Sequence, residues 1–174
     1  MVSTTAGSHV ARALVALLVF SSSAAEAGDP VQGERLFRVT RNKNDNIVCY
    51  DLLKKDEKME KDNPVSVYWV IPSKQNKLEN LNFLERTKAY GVSLVKTYGQ
   101  DSVDIMLKAG KRSIRVTVRD ARWVALTTLD SLEVAIDSVY VMADESGAKP
   151  TVQWVEVMGR HPGTGESVRK KITK

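Results

Sequence analysis

At 174 residues the chain is long enough for one ordinary domain with a single hydrophobic core. Its net charge of +5 is modest, and its lysines and arginines are spread along the whole length, which, with no nucleic-acid recognition motif, argues against nucleic-acid binding. The one cysteine, Cys49, excludes a disulfide within the chain, so stability must come from core burial.

The N-terminus has the layout of a secretory signal peptide. Arg12 supplies the positive region, 13–20 is an unbroken apolar run, and three serines lead to Ala25-Glu26-Ala27, an A-x-A cleavage site. The expected organisation is a signal peptide over 1–27, cleaved after Ala27, and one β-rich domain over 28–174. The apolar run is too short to span a bilayer, and no later segment is long and apolar enough to do so. The expected location is periplasmic or extracellular.

From there the hydrophobic period is mostly two. Strands are expected over 36–41 and 47–53, with a polar turn between them and a charged loop over 54–63. In the next strand Val65, Val67, Trp69 and Ile71 share one face, with Ser66, Tyr68 and Val70 on the other. Leu78, Leu81 and Leu84 then recur every third residue before Gly91, and this spacing predicts one helix over 77–90. Period two resumes over 92–98, 103–107, 114–118 and 123–126. In the following strand Leu132, Val134 and Ile136 share a face, and then Val139 and Val141 take it over. A β-bulge near Asp137-Ser138 accounts for that slip. Strands over 152–158 and 167–172 flank the turn His161-Pro162-Gly163-Thr164-Gly165. The predicted fold class is mainly β: an antiparallel up-and-down barrel or two-sheet sandwich of about nine strands with one helix.

Several of these segments carry a resemblance. The stretches Pro64-Val65-Ser66-Val67-Tyr68-Trp69-Val70 and 81–92, together with Asn42-Lys43-Asn44-x-Asn46-Ile47-Val48-Cys49-Tyr50-Asp51, resemble domain-of-unknown-function family 4833 over nearly all of the chain after the leader. The resemblance implies a small exported bacterial protein with a β-rich fold. It implies no activity, because none is assigned to that family.

The densest polar set is Glu85, Arg86, Lys88 and Tyr90 at the end of the expected helix. Glu85 and Arg86 there either point at a ligand or latch the helix to the strands, with Tyr90 packed beneath. Tyr68 and Trp69, adjacent on one strand, must face opposite sides, so one of them lines the interior as core or as the wall of a ligand cavity. Glu85, Arg86, Tyr90, Tyr68 and Trp69 are therefore the candidate ligand-binding residues. No catalytic residue is assigned. A metal site lacks ligands, because His161 is the only histidine beyond the leader and no cysteine pair exists. No cofactor is implied, and no Gly-rich phosphate loop is present. Cys49 is either a buried strand residue or a free reactive thiol. These features point to an exported binding or structural module, whose ligand is a small apolar molecule, an envelope component or a protein partner. The alternative is a hydrolase-like enzyme using Glu85, Arg86 and Tyr90.

Overall fold

The computed structural model describes residues 29–147 and 150–173; the expected leader and its cleavage point lie outside them. The strands are β1 (Glu34–Arg41), β2 (Asn44–Leu52), β3 (Lys54–Lys55), β4 (Lys58–Met59), β5 (Val65–Ile71), β6 (Lys77–Asn80), β7 (Val92–Tyr98), β8 (Ser102–Leu107), β9 (Ser113–Arg119), β10 (Arg122–Leu129), β11 (Leu132–Asp144), β12 (Thr151–Arg160) and β13 (Ser167–Thr173). All but β3 and β4 join one sheet, curled into a half-barrel. The mainly-β class holds, and the two-sheet alternative gives way to one curved sheet. β3 and β4 form a separate small ribbon inside the stretch expected as a charged loop.

Two meanders build the sheet. Strands β7 to β13 each pair antiparallel with the next. Strands β1, β2, β5 and β6 do the same on the N-terminal side. The meanders meet where β1 pairs with β11, and this contact is parallel. Short hairpins can join only antiparallel neighbours, so a pairing between distant segments was not readable from turn spacing.

Three tight turns of the hairpins have the backbone of mirror-image turns, with positive φ at both central residues: Asp56-Glu57, Asp120-Ala121 and Asp130-Ser131. That twist matches the right-handed twist of the strands it connects. Aspartate tolerates the left-handed region better than most residues, which accounts for its place at the first position of each turn.

The concave face holds the core. Val48, Tyr50 and Leu52 of β2 point there, as do Val103 and Ile105 of β8, Ile114 and Val116 of β9, and Val134 of β11. Phe37 stacks on Tyr50 with ring centroids 4.3 Å apart, and Trp69 meets the Tyr90 ring edge-on at 5.0 Å. Strand β2 is buried on its other face as well: Cys49 and Asp51 are each only 1% exposed. The bulge expected near Asp137-Ser138 is present, for Ile136 pairs with Gly159 and Ser138 with Met158, leaving Asp137 as the extra residue. The slip lets Val134 and Ile136 before it, and Val139 and Val141 after it, all face the same core.

The helix expected over 77–90 is corrected. Residues 77–80 are β6, hydrogen-bonded along β5 from Ile71↔Lys77 to Tyr68↔Asn80. Only a short helical turn over 83–89 remains, wound as a π-helix at Glu85–Ala89. The leucine spacing misled because Leu78 belongs to a strand and Leu84 is exposed, leaving Leu81 alone as a buried anchor. Asn82 and Glu85 start the turn reciprocally: the Glu85 N–H donates to Asn82 Oδ1 and the Asn82 N–H to Glu85 Oε2, both at 2.9 Å. This is a capping box with asparagine in the serine position.

Candidate functional site: a cationic cleft at a strand seam

Three of the five residues singled out from the sequence come together. Trp69 Nε1 donates to Glu85 Oε2 at 3.2 Å, and Tyr90 packs against the Trp69 ring. The Tyr50 hydroxyl donates to the Tyr90 carbonyl oxygen at 2.7 Å. Glu85 is thus occupied in pinning the helical turn to the sheet. Arg86 donates from Nη2 to the Leu81 carbonyl at 3.3 Å, just before its own turn. Between a ligand site and a latch, the observed contacts are those of a latch.

Tyr68 faces the opposite side of β5. Its hydroxyl donates to Asp51 Oδ2 at 2.6 Å and accepts from Arg35 Nη2 at 3.1 Å. Arg35 Nε also donates to Asp51 Oδ1, and the Gly33 N–H donates to Oδ2 at 3.2 Å. Asp51 is therefore buried with its charge partnered. Burial pushes the Cys49 thiol up, only partly opposed by the Arg35 charge, so Cys49 is a buried strand residue and not an activated nucleophile.

Arg35 leads to a place the sequence did not single out. β10 pairs with β11 only as far as Leu126↔Ala135, while β1 pairs with it from Arg38↔Ser138 onward. The extra residue Asp137 sits at that handover. A cleft of about 530 Å³ opens at the seam. Arg35 from β1, Arg119 and Arg122 from the two sides of the β9–β10 turn, and Arg160 from the end of β12 all line it, with His161 beside Arg160. Asp120 and Asp137 are the only carboxylates among the lining residues. Arg160 is tied loosely to Asp137 at 3.4 Å. The His161 ring is oriented by its own turn: the N–H groups of Gly163 and Thr164 both donate to Nδ1 at 3.1 Å. With Nδ1 accepting, the neutral ring carries its hydrogen on Nε2, where it is a donor.

A second cleft of about 520 Å³ lies on β8 to β11, lined in part by Asp104, Lys111, Arg112, Arg115 and Glu133. Its central charges are already used. Arg115 Nε donates to Asp104 Oδ1 at 2.8 Å, and the Tyr98 hydroxyl donates to Asp104 Oδ2 at 2.8 Å. These hydrogen bonds, Arg115's above all, hold the Asp104 carboxyl below the usual carboxylate range. Neither cleft is an apolar chamber, and neither is lined by Glu85, Arg86 or Tyr90.

The family profile described as Domain of unknown function (DUF4833) matches residues 37–171. The chain belongs to this family. No curated protein and no solved structure matches it. Within the DUF4833 fold seen here, the stretches that carried the resemblance are largely structural. The Asn42 amide donates to the Ala143 carbonyl and accepts from the Ala143 N–H, both at 2.9 Å, so it extends the β1–β11 pairing by one side chain. Trp69, Glu85 and Tyr90 fasten the helical turn. Tyr68 and Asp51 close the outer face. The cationic residues of the cleft are scattered over 35–161, and no local spacing links them; the bulge predicted at Asp137 and the turn predicted over 161–165 were the sequence signals that touched the site.

Proposed function

We propose that the chain is an exported binding module whose ligand carries phosphate or carboxylate groups and sits in the seam cleft. The observation that carries this reading is that Arg119 and Arg122 line one cleft together with Arg35, Arg160 and His161, where Arg35 is paired with Asp51 and Arg160 with Asp137. Guanidinium groups recognise phosphate and carboxylate as paired donors, which a surface of scattered lysines does not. Arg35 is held in place by Asp51 and Tyr68, so part of the site is ordered before a ligand arrives. An anionic envelope component fits this chemistry better than a small apolar molecule. The hydrolase alternative finds no support in the geometry, since Glu85 and Arg86 are spent on the helical turn.

The test is calorimetric titration of the purified chain with pyrophosphate, citrate and a neutral disaccharide. The two anions are expected to bind and the sugar to be ignored. Removing Arg119 and Arg122 together (R119A/R122A) should weaken anion binding by about 150-fold or more, at ~1.5 kcal/mol or more for each of the two charged hydrogen bonds. Equal binding by the variant, or binding of the sugar alone, would overturn the reading. Export is tested by N-terminal sequencing of the secreted protein, expected to begin at Gly28.

A further inference from the structure

We infer that the helical turn over 83–89 is a membrane-docking tip that takes an anionic phospholipid surface. Phe83 is 77% exposed and Leu84 67%, the two most exposed large apolar side chains among the described residues. They are adjacent at the start of the turn and project from it. The sequence alone would place Leu84 in a core, so its exposure is a property of the fold.

Cations lie on the same turn as this pair and on the hairpin fastened to its end. Arg86 and Lys88 lie on the same turn and are exposed. The β8–β9 hairpin is fastened beside it, through the Lys108 N–H to the Gly91 carbonyl at 2.9 Å and the Ala109 N–H to the Ala89 carbonyl at 3.0 Å. That brings in Lys108, Lys111 and Arg112, all exposed. Of the acidic groups nearby, Glu85 turns inward to Trp69 and Asp130 is paired with Lys170 at 2.6 Å, while Glu133 lines one cleft with Lys111 and Arg112. An exposed apolar pair with basic residues on the same turn and the adjoining hairpin matches the two components of an anionic bilayer surface, acyl chains beneath and phosphates above.

Two exposed side chains are too small a surface for a protein partner, which needs roughly 800 Å² per side. It does suit a fluid interface, which moulds itself around whatever is inserted. The tip is separate from the seam cleft and shares no residue with it.

The experiment is co-sedimentation with vesicles of phosphatidylcholine alone or with phosphatidylglycerol added. The chain should bind the mixed vesicles, release at high salt, and leave pure phosphatidylcholine largely unbound. Replacing both apolar residues (F83S/L84S) should reduce binding about tenfold or more; both are exposed, so folding is expected to be retained and is checked by circular dichroism. Neutralising Lys88 and Lys108 (K88Q/K108Q) should reduce it roughly fivefold for each charge removed. R119A/R122A should bind vesicles like the parent, which separates this inference from the cleft. The inference is overturned if no vesicle binds, if F83S/L84S binds as well as the parent, or if R119A/R122A abolishes vesicle binding. It is also overturned if sedimentation shows a dimer that F83S/L84S dissociates, since the tip would then be covered by a second copy.

Discussion

The Tyr68 hydroxyl and the Asp51 carboxylate share a 2.6 Å hydrogen bond on the face of β5 and β2 that is turned away from the core. Tyr68 is fully buried and Asp51 is 1% exposed, yet the guanidinium completing the group, Arg35, is partly in solvent. The charge of Asp51 is thus neutralised at the boundary and not deep inside, which lessens the desolvation that a buried pair suffers. Removing the hydroxyl alone leaves Asp51 with Arg35 and the Gly33 N–H. Tyr68→Phe should lower stability by about 1–2 kcal/mol in urea unfolding. Asp51→Ala strands the Tyr68 hydroxyl and the Gly33 N–H together and should lower it by more, about 2–4 kcal/mol. If the two variants were equally stable, Asp51 would not be the hub of the group.

The same pair sets an alkaline limit. Burial first, and then the hydrogen bond to Asp51, push the Tyr68 phenol from 10.0 up to about 12. Tyr50 is raised in the same direction, mainly by burial. A raised value means that the folded state favours the protonated phenol. Its contribution is complete below pH ~10, where an unfolded tyrosine titrates, and is lost as pH rises toward 12. Stability should therefore fall above pH 10, and Tyr68→Phe should fall less steeply over that interval. Following phenolate absorbance during the titration shows whether Tyr68 ionises late.

Alternation, turns and the phase slip made the mainly-β class and the Asp137 bulge legible from the sequence, because each is a local consequence of how side chains leave a strand. The parallel β1–β11 contact and the helical turn were not. Leu78 and Leu84 have the right spacing for a helix, but pairing with β5 decides for Leu78, and no periodicity reports a neighbour in space. Trp69 and Tyr68 on opposite faces followed from their adjacency, although burial of both did not. The cleft was invisible for the same reason as the parallel contact: Arg35, Arg119, Arg122 and Arg160 line one site only because β10 and β1 share one edge of β11.

Ser131 occupies the second position of a mirror-image turn with φ 69°, next to Asp130 at φ 47°. A side chain in the left-handed region is strained, and glycine is not. Ser131→Gly should raise stability by about 0.5–1 kcal/mol, the opposite sign to most substitutions. Thermal unfolding measures it, and a lower midpoint would mean that the turn is not held in this form.

Tyr50 connects the core to the helical turn through its bond to the Tyr90 carbonyl. Tyr50→Phe keeps the stack on Phe37 and removes only that bond, leaving the carbonyl unpaired beneath the turn. The loss should be about 1–2 kcal/mol. It should appear in hydrogen exchange as faster exchange at Tyr90 and Gly91, whose N–H groups both donate to the Glu85 carbonyl. Uniform acceleration across β8 and β9 instead would place the role of Tyr50 in the core and not in the turn.

Gly91 ends the same turn because nothing larger fits. A Cβ added there would lie 1.8 Å from the Arg86 carbonyl oxygen, a backbone atom that cannot step aside without unwinding the π-type turn. Gly91→Ala should cost at least ~2 kcal/mol, and the damage should begin locally. Trp69 reports it, since its indole touches Tyr90 and donates to Glu85, both held by this turn. Its fluorescence should change at denaturant concentrations where the strand signal in circular dichroism is still intact. β7 to β9 keep their own pairing when the turn loosens, which is why the two signals separate. Coincident transitions would instead mean that the turn and the half-barrel unfold as one unit.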